Sequence, residues 1–209
     1  MNLKNVTINP DLVAAFDARL PEIQFDYVNK IRDTNRLIYK ALESCNYTNY
    51  FAGTSGGKDS LTVASLVRNI QANDAVLDLI HNPKPYPKTH PATKDYLYYL
   101  SMQSPISFVP SADMERYCKA KGFTLQFDGT RKAEFSREDK STDFIMNGES
   151  VCRTKIVPFI ECGIFELSIS FPILDWSDEE VLMYLYQEEI PLSSEYADVY
   201  PYIWEEANV

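Results

Sequence analysis

The chain predicts an α/β domain, a doubly wound parallel sheet flanked by helices, preceded by an N-terminal helical extension. Three observations predict it. Short β-forming runs alternate with helical patterns between residues 47 and 127, the alternation that lays parallel strands under helices on both faces. A glycine-rich turn, Gly53-Thr54-Ser55-Gly56-Gly57-Lys58-Asp59-Ser60, joins the first such run to the helix after it, as in phosphate-binding α/β units. The length, 209 residues, suits one domain of this class with additions.

Taken in order, Asn9-Pro10-Asp11 opens a short helix to Leu20, and Pro21 at a helix-start position leads a longer one to about Ser44. Tyr27, Ile31, Ile38 and Leu42 recur there at helical spacing, so this helix is amphipathic and packs on something downstream. Residues 1–45 are assigned to this helical segment and 46–209 to the domain that carries the glycine loop. Tyr47–Ala52 is rich in β-formers and predicts the first strand; Leu61–Val67 predicts the helix beyond the loop. A second strand is expected over Ala75–Ile80, followed by the proline-studded stretch His81–Pro91. Then come a helix around Thr93–Met102, a strand at Ile106–Val109, a helix from Ser111 to Lys121 closed by Gly122, and a strand at Phe123–Phe127. The last third is less regular. Its clear signal is Ser177 with Glu180, a capping box opening a helix that carries Val181, Leu182 and Leu185 and stops before Pro191.

Composition bounds the function. With 45% hydrophobic and 13% aromatic residues the chain builds a sizeable core, which excludes intrinsic disorder as the whole answer. Asp and Glu number 30 against 20 Lys and Arg, and the formal charge of -10 repels phosphate backbones, so no direct nucleic-acid partner is expected. No run approaches the roughly 18 apolar residues of a membrane span, and the first residues lack a leader pattern. A soluble, cytoplasmic protein without a membrane partner is expected. Cys45, Cys118, Cys152 and Cys162 are widely spaced, and neither they nor His81 and His90 show metal-ligand spacing, so reduced thiols and no protein-held metal cluster are expected. Asp178-Glu179-Glu180 fall in a first helical turn, where the helix dipole favours acids without any ligand.

The glycine loop carries the chemistry. Two glycines let successive backbone N–H groups point into one concavity, the following helix adds its positive end, and the Ser hydroxyls and Lys58 add donors for phosphate oxygens. The loop is not a Walker A sequence. Gly53 to Gly57 is one residue too short, and Asp59 stands where Ser or Thr should hold magnesium. The order Ser-Gly-Gly-x-Asp-Ser after a strand instead resembles the PP-loop of the adenine nucleotide α-hydrolase-like superfamily, whose members bind ATP or a related adenylate and act at its α-phosphate.

Two later segments resemble one branch of that superfamily. Gly129-Thr130-Arg131, followed by Lys132, Glu134 and Arg137, looks like the Gly-x-Arg segment of the phosphoadenosine phosphosulfate reductase and ATP sulfurylase small-subunit family. Phe171-Pro172-Ile173-Leu174-Asp175-Trp176-Ser177, a helix, and Ile190-Pro191 resemble that family's Pro-Ile/Leu-x-x-Trp, helix, Ile-Pro pattern. The resemblance implies ATP and Mg²⁺ as ligands and adenylyl transfer with release of pyrophosphate, or a variant on a sulfated adenylate. It implies catalytic roles for Lys58, Asp59 and Arg131. The nucleotide site it implies comprises Thr54, Ser55, Gly56, Gly57, Lys58, Asp59, Ser60, His81, Gly129, Arg131 and Arg137, with Arg131 on a second anion. Glu161-Cys162-Gly163 is similar to the reductases' nucleophile segment but precedes Trp176, whereas in the reductases it lies beyond the Ile-Pro segment; Cys162 is therefore read as a small core residue, and reductase chemistry ranks below adenylyl transfer. Cys152-Arg153-Thr154-Lys155 resembles a Cys-x-x-Lys-x-x-Pro element that usually comes before the Gly-x-Arg segment and here follows it. Two alternatives stand beside the enzyme: a non-catalytic adenine-nucleotide sensor or sink, and a subunit of a sulfur-transfer or nucleic-acid-modifying complex, for which a protein partner or a homo-oligomer is compatible.

Overall fold

The protein, in a computed structural model, is described over residues 10–70, 77–83, 91–135, 144–146, 149–151, 159–160, 167–188 and 190. Helix α1 spans Pro10–Ser44 without interruption. The two helices expected on either side of Pro21 are thus one. A proline inside a helix removes one rung of the ladder, and the flanking Ala18, Arg19, Leu20 and Glu22 are strong helix formers that carry the helix across it. From Tyr27 onward the predicted stripe is seen: Tyr27, Ile38 and Leu42 are buried and Ile31 packs against them.

Strand β1 is Tyr50–Gly53, three residues later than expected. The intervening residues close α1 instead. Tyr47 donates its N–H to the Leu42 carbonyl at 2.9 Å, with Asn46, Tyr47 and Asn49 all in the left-handed region at φ of 52°, 59° and 58°. Asparagine adopts that conformation more readily than most residues, which makes this stretch a reversal and not a strand.

The remaining elements are α2 (Lys58–Ile70), β2 (Asp78–His81), α3 (Pro91–Gln103), β3 (Ile106–Phe108), a 3₁₀ turn (Ser111–Asp113) leading into α4 (Met114–Lys121), β4 (Leu125–Phe127), α5 (Lys132–Phe135), β5 (Phe144–Met146), β6 (Glu149–Val151), β7 (Phe159–Ile160), β8 (Ser168–Ser170) and α6 (Asp178–Gln187). Gly122, at φ 70°, closes α4 as predicted, its N–H bonding the carbonyls of Cys118 and Lys119. The strands join in the order β3-β2-β1-β4-β8-β7, while β5 and β6 form a separate antiparallel pair. From β3 to β8 all neighbours are parallel; β7 runs antiparallel at the edge.

Helices cover both faces. Ala52, Leu79, Leu125 and Phe127 point to the side where α1, α2 and α6 contribute Leu42, Val63, Leu66 and Leu182. Phe51 and Ile80, their neighbours along the strands, point to the other side and meet Val109, Cys118 and Leu167. This alternation confirms the doubly wound sheet. The chain moves outward from β1 through β2 to β3, then returns to place β4 on the opposite side of β1. β1 is therefore the topological switch point, at whose carboxyl edge sheets of this kind bind ligands. No helix among the described residues is long and apolar enough to cross a membrane.

Candidate functional site

The loops that leave β1 and β4 at this edge are Thr54–Gly57 and Asp128–Arg131. The first is tied down at its entry: Thr54 donates its N–H to Ile80 O at 2.8 Å, and its own carbonyl lies 2.7 Å from His81 Nδ1. The buried His81 ring, stacked edge-on against Phe108, thus fixes the loop's first peptide from the neighbouring strand. Gly56 takes φ 79°, and a Cβ there would stand 3.0 Å from Leu97 Cγ, so conformation and crowding both call for glycine.

Beyond that entry each loop amide meets a different nearby hydroxyl. Ser55 N–H points to Ser60 Oγ at 3.2 Å, Gly56 N–H to Thr54 Oγ1 at 3.3 Å, and Gly57 N–H to Ser55 Oγ at 3.2 Å. These are long for N–H···O bonds, which centre near 2.9–3.0 Å. Helix α2 begins at the next residue and adds the positive end of its dipole. Ser60 Oγ also bonds Gly57 O at 2.9 Å, binding the helix's first turn to the loop.

The second loop is shaped by Asp128. Its Oδ1 accepts from Thr130 N–H at 2.9 Å and Thr130 Oγ1 at 2.6 Å, an Asx turn. Gly129 then lies flat against the start of α2, where a Cβ would stand 2.9 Å from the backbone of Asp59 and Ser60. That contact sets the second loop against the start of α2 and delivers Arg131 beside the glycine loop.

Arg131 is only 2% exposed. Its Nε is 2.7 Å from Asp59 Oδ1, its Nη2 is 2.6 Å from Asp178 Oδ1, and its Nη1 donates to the Trp176 carbonyl at 3.2 Å. Lys58 Nζ lies 2.9 and 2.8 Å from the two Asp59 oxygens and 2.8 Å from Asp178 Oδ1. Two cations and two carboxylates thus form one closed cluster under the loop. Burial alone would raise the Asp178 carboxyl; the hydrogen bond and charge of Lys58, with Arg131 behind, outweigh it and hold the group below its ordinary value.

Sequence reading brought together Thr54 to Ser60, His81, Gly129 and Arg131, and all of them meet at this edge. The environment of Arg131 differs from the expectation of a second anion site, since carboxylates and a carbonyl surround the guanidinium. Lys132 turns outward to an exposed pair with Asp175 at 2.5 Å. Arg137 lies outside the described residues, as do His90, Cys152, Arg153, Lys155 and Cys162. Asp178 was missed, having been read as an ordinary first-turn acid. The signal that could have found it is its position two residues after Trp176, whose buried side chain and Arg131-bonded carbonyl lock that turn against the site. A groove of about 360 Å³ between α1 and the 171–176 turn is lined by Lys30, Thr34 and Trp176 but by no residue of the glycine loop.

No family model matches the chain, and no curated protein matches it. Solved structures do. An FMN adenylyltransferase from Candida glabrata superposes with a TM-score of 0.62 at 12% identity, covering 83% of this chain and 60% of that one, and the same enzyme in complex with ATP gives 0.60. A phosphoadenylyl-sulfate reductase from Candida auris, in a phosphate complex, gives 0.55 at 12% identity and covers 93% and 94% of the two chains. A yeast FAD synthetase in complex with FAD gives 0.55 at 16% identity, with 81% and 63% covered. The chain thus spans less than two thirds of the length of the adenylyltransferase and the FAD synthetase. These likenesses, with the strand order, show the fold: an α/β protein with the adenine nucleotide α-hydrolase-like fold.

Proposed function

We propose that this protein binds an adenine nucleotide and transfers its adenylyl group with release of pyrophosphate. One observation carries the reading: at the topological switch point, just before a helix start, three successive amides are each held, among the described residues, by a long bond to a nearby hydroxyl. An anion's oxygens are stronger acceptors and would take those amides over, with Ser55 and Ser60 as further donors. Lys58 would neutralise charge growing between the α-phosphorus and the departing pyrophosphate. Arg131 would act from beneath by fixing Asp59 and Asp178, and His81 by fixing Thr54.

The Asp59 carboxylate would serve magnesium by releasing Lys58, which both its oxygens face, while Arg131 keeps hold of Oδ1. Mg²⁺ is commonly held by one or two carboxylates together with phosphate oxygens, and the Asp59 carboxylate stands beside the loop at 23% exposure. Asp59 would hold the ion, which when bound supplies positive charge to the phosphate oxygens. Among the described residues no group of three or more acids, histidines or cysteines is placed to hold a metal without such a ligand.

A second reading, a nucleotide sensor or a subunit of a sulfur-transfer complex, is favoured by the neutrality of the cluster, whose cations are already paired. Incubation with ATP and Mg²⁺, alone and with sulfate or FMN as acceptor, separates the two. Pyrophosphate release that falls at least about a hundredfold in Lys58→Ala, a loss of about 2.7 kcal/mol of transition-state stabilisation, supports the enzyme. ATP binding without release in any arm supports the sensor.

A further inference from the structure

Asp178, the first residue of α6, reaches Lys58 at the start of α2, just beyond the glycine loop. Its Oδ1 lies 2.8 Å from Lys58 Nζ and 2.6 Å from Arg131 Nη2, so one oxygen holds both cations. The turn that presents it is secured independently. The Ser177–Glu180 capping box closes with bonds of 2.7 and 3.1 Å, Glu180 pairs with Lys30 of α1 at 2.9 Å, and the neighbouring Trp176 donates Nε1–H to Thr34 Oγ1 at 3.0 Å. The carboxylate is therefore part of the framework and not a mobile surface group.

This placement has an electrostatic consequence. Lys58 and Arg131 face Asp59 and Asp178, so the cluster beneath the loop carries no net charge. An incoming anion is drawn by the amides and the helix end, but the cluster adds no overall attraction. To contact the Lys58 ammonium, the anion must take the place of a carboxylate.

We propose that Asp178 competes with the ligand's phosphate for Lys58 and thereby sets the loop's affinity for polyphosphate, while holding Lys58 and Arg131 in position. The inference rests on the reading of the loop as a phosphate site. It gives opposite signs to two measurements: removal of the Asp178 charge weakens the fold and strengthens anion binding. A residue that only supports the structure would lose both together.

The test is calorimetric titration of inorganic pyrophosphate, and of ATP, into wild type, Asp178→Asn, Asp178→Glu, Lys58→Ala and the Asp178→Asn, Lys58→Ala double variant, with a thermal melt of each. Asp178→Asn is expected to melt lower and to bind pyrophosphate roughly tenfold more tightly, the order expected for removing one negative charge a few ångströms from the anion. Asp178→Glu, which keeps the charge, shows no gain, and the gain disappears without Lys58. Asp178→Ser replaces the asparagine variant in the same comparison if the latter does not fold. Equal or weaker pyrophosphate binding in the folded neutral variant overturns the competition, and so does a gain that persists in the Lys58→Ala background. Wild type that binds neither pyrophosphate nor ATP would instead overturn the phosphate-loop reading itself.

Discussion

Gly129 shows how much a single missing carbon decides. A methyl group there would press on the backbone of Asp59 and Ser60 at 2.9 Å, and backbone at the start of a packed helix cannot swing aside as a long side chain can. Gly129→Ala is expected to destabilise the fold by about 1–3 kcal/mol, the usual range for overpacking, and to weaken nucleotide binding by displacing the loop. Urea unfolding and an ATP titration on the same sample check both effects. The outcome that would refute the contact is an unchanged midpoint with unchanged affinity.

At the same scale, Asp178 makes a prediction about pH. Its carboxyl is held below its ordinary value of 3.8 in the folded state. Between the folded and unfolded values the unfolded chain binds more protons, so stability rises with pH across that window. The contribution is complete above the unfolded value and is lost as pH falls through the folded one. Urea unfolding from neutral pH down through the carboxylate range should therefore show a shallower acid loss in Asp178→Asn than in wild type. Parallel curves would mean the carboxylate gains nothing from Lys58 and Arg131.

At the scale of elements, α4 is stopped by geometry that is separable from packing. Gly122 has φ 70° and nothing within 4 Å of where a Cβ would stand. Gly122→Ala therefore tests backbone strain alone and should cost about 1 kcal/mol, the lower end of the left-handed penalty for a residue with a Cβ. Denaturant unfolding measures it, and no change would mean that the turn relaxes out of the left-handed region. The capping of α6 is the complementary case. There side chains, Ser177 and Glu180, satisfy the orphan amides, and the stop and start signals of both helices lie within a few neighbouring residues.

At the scale of the whole molecule, α1 belongs to the same packing unit as the sheet. Leu42 is fully buried in the cluster that also contains Ala52 of β1, Val63 and Leu66 of α2 and Leu182 of α6. Leu42→Ala should remove about 2–5 kcal/mol, as a large-to-small change in a core does. Unfolding followed by helical circular dichroism and by tryptophan fluorescence should remain one coincident transition, because Trp176 lies in the same cluster. Two separated transitions would show that α1 docks as an independent unit.

What the sequence determined by itself is local. The glycine loop, the left-handed closure at Gly122, the α6 capping box and the apolar stripe of α1 each depend on residues a few positions apart, and each can be read from spacing and residue type. The alternation from β1 to β4 then predicted the parallel sheet, and the switch point follows from where β4 joins it. Strand β8 escaped notice although Leu167-Ser168-Ile169-Ser170-Phe171 alternates strictly, because three residues of strand are a weak signal until β4 pairs with them. Likewise the β5–β6 pair and edge strand β7 are short and acquire meaning only through their partners. Only the tertiary structure decided the surroundings of Arg131 and of Asp178. A charged residue's function depends on which opposite charges the fold brings within about 3 Å, and Lys58, Arg131 and Asp178 come from three distant parts of the chain. No local pattern records that meeting, since it is set by β4 and α6 packing against the two sides of one helix start.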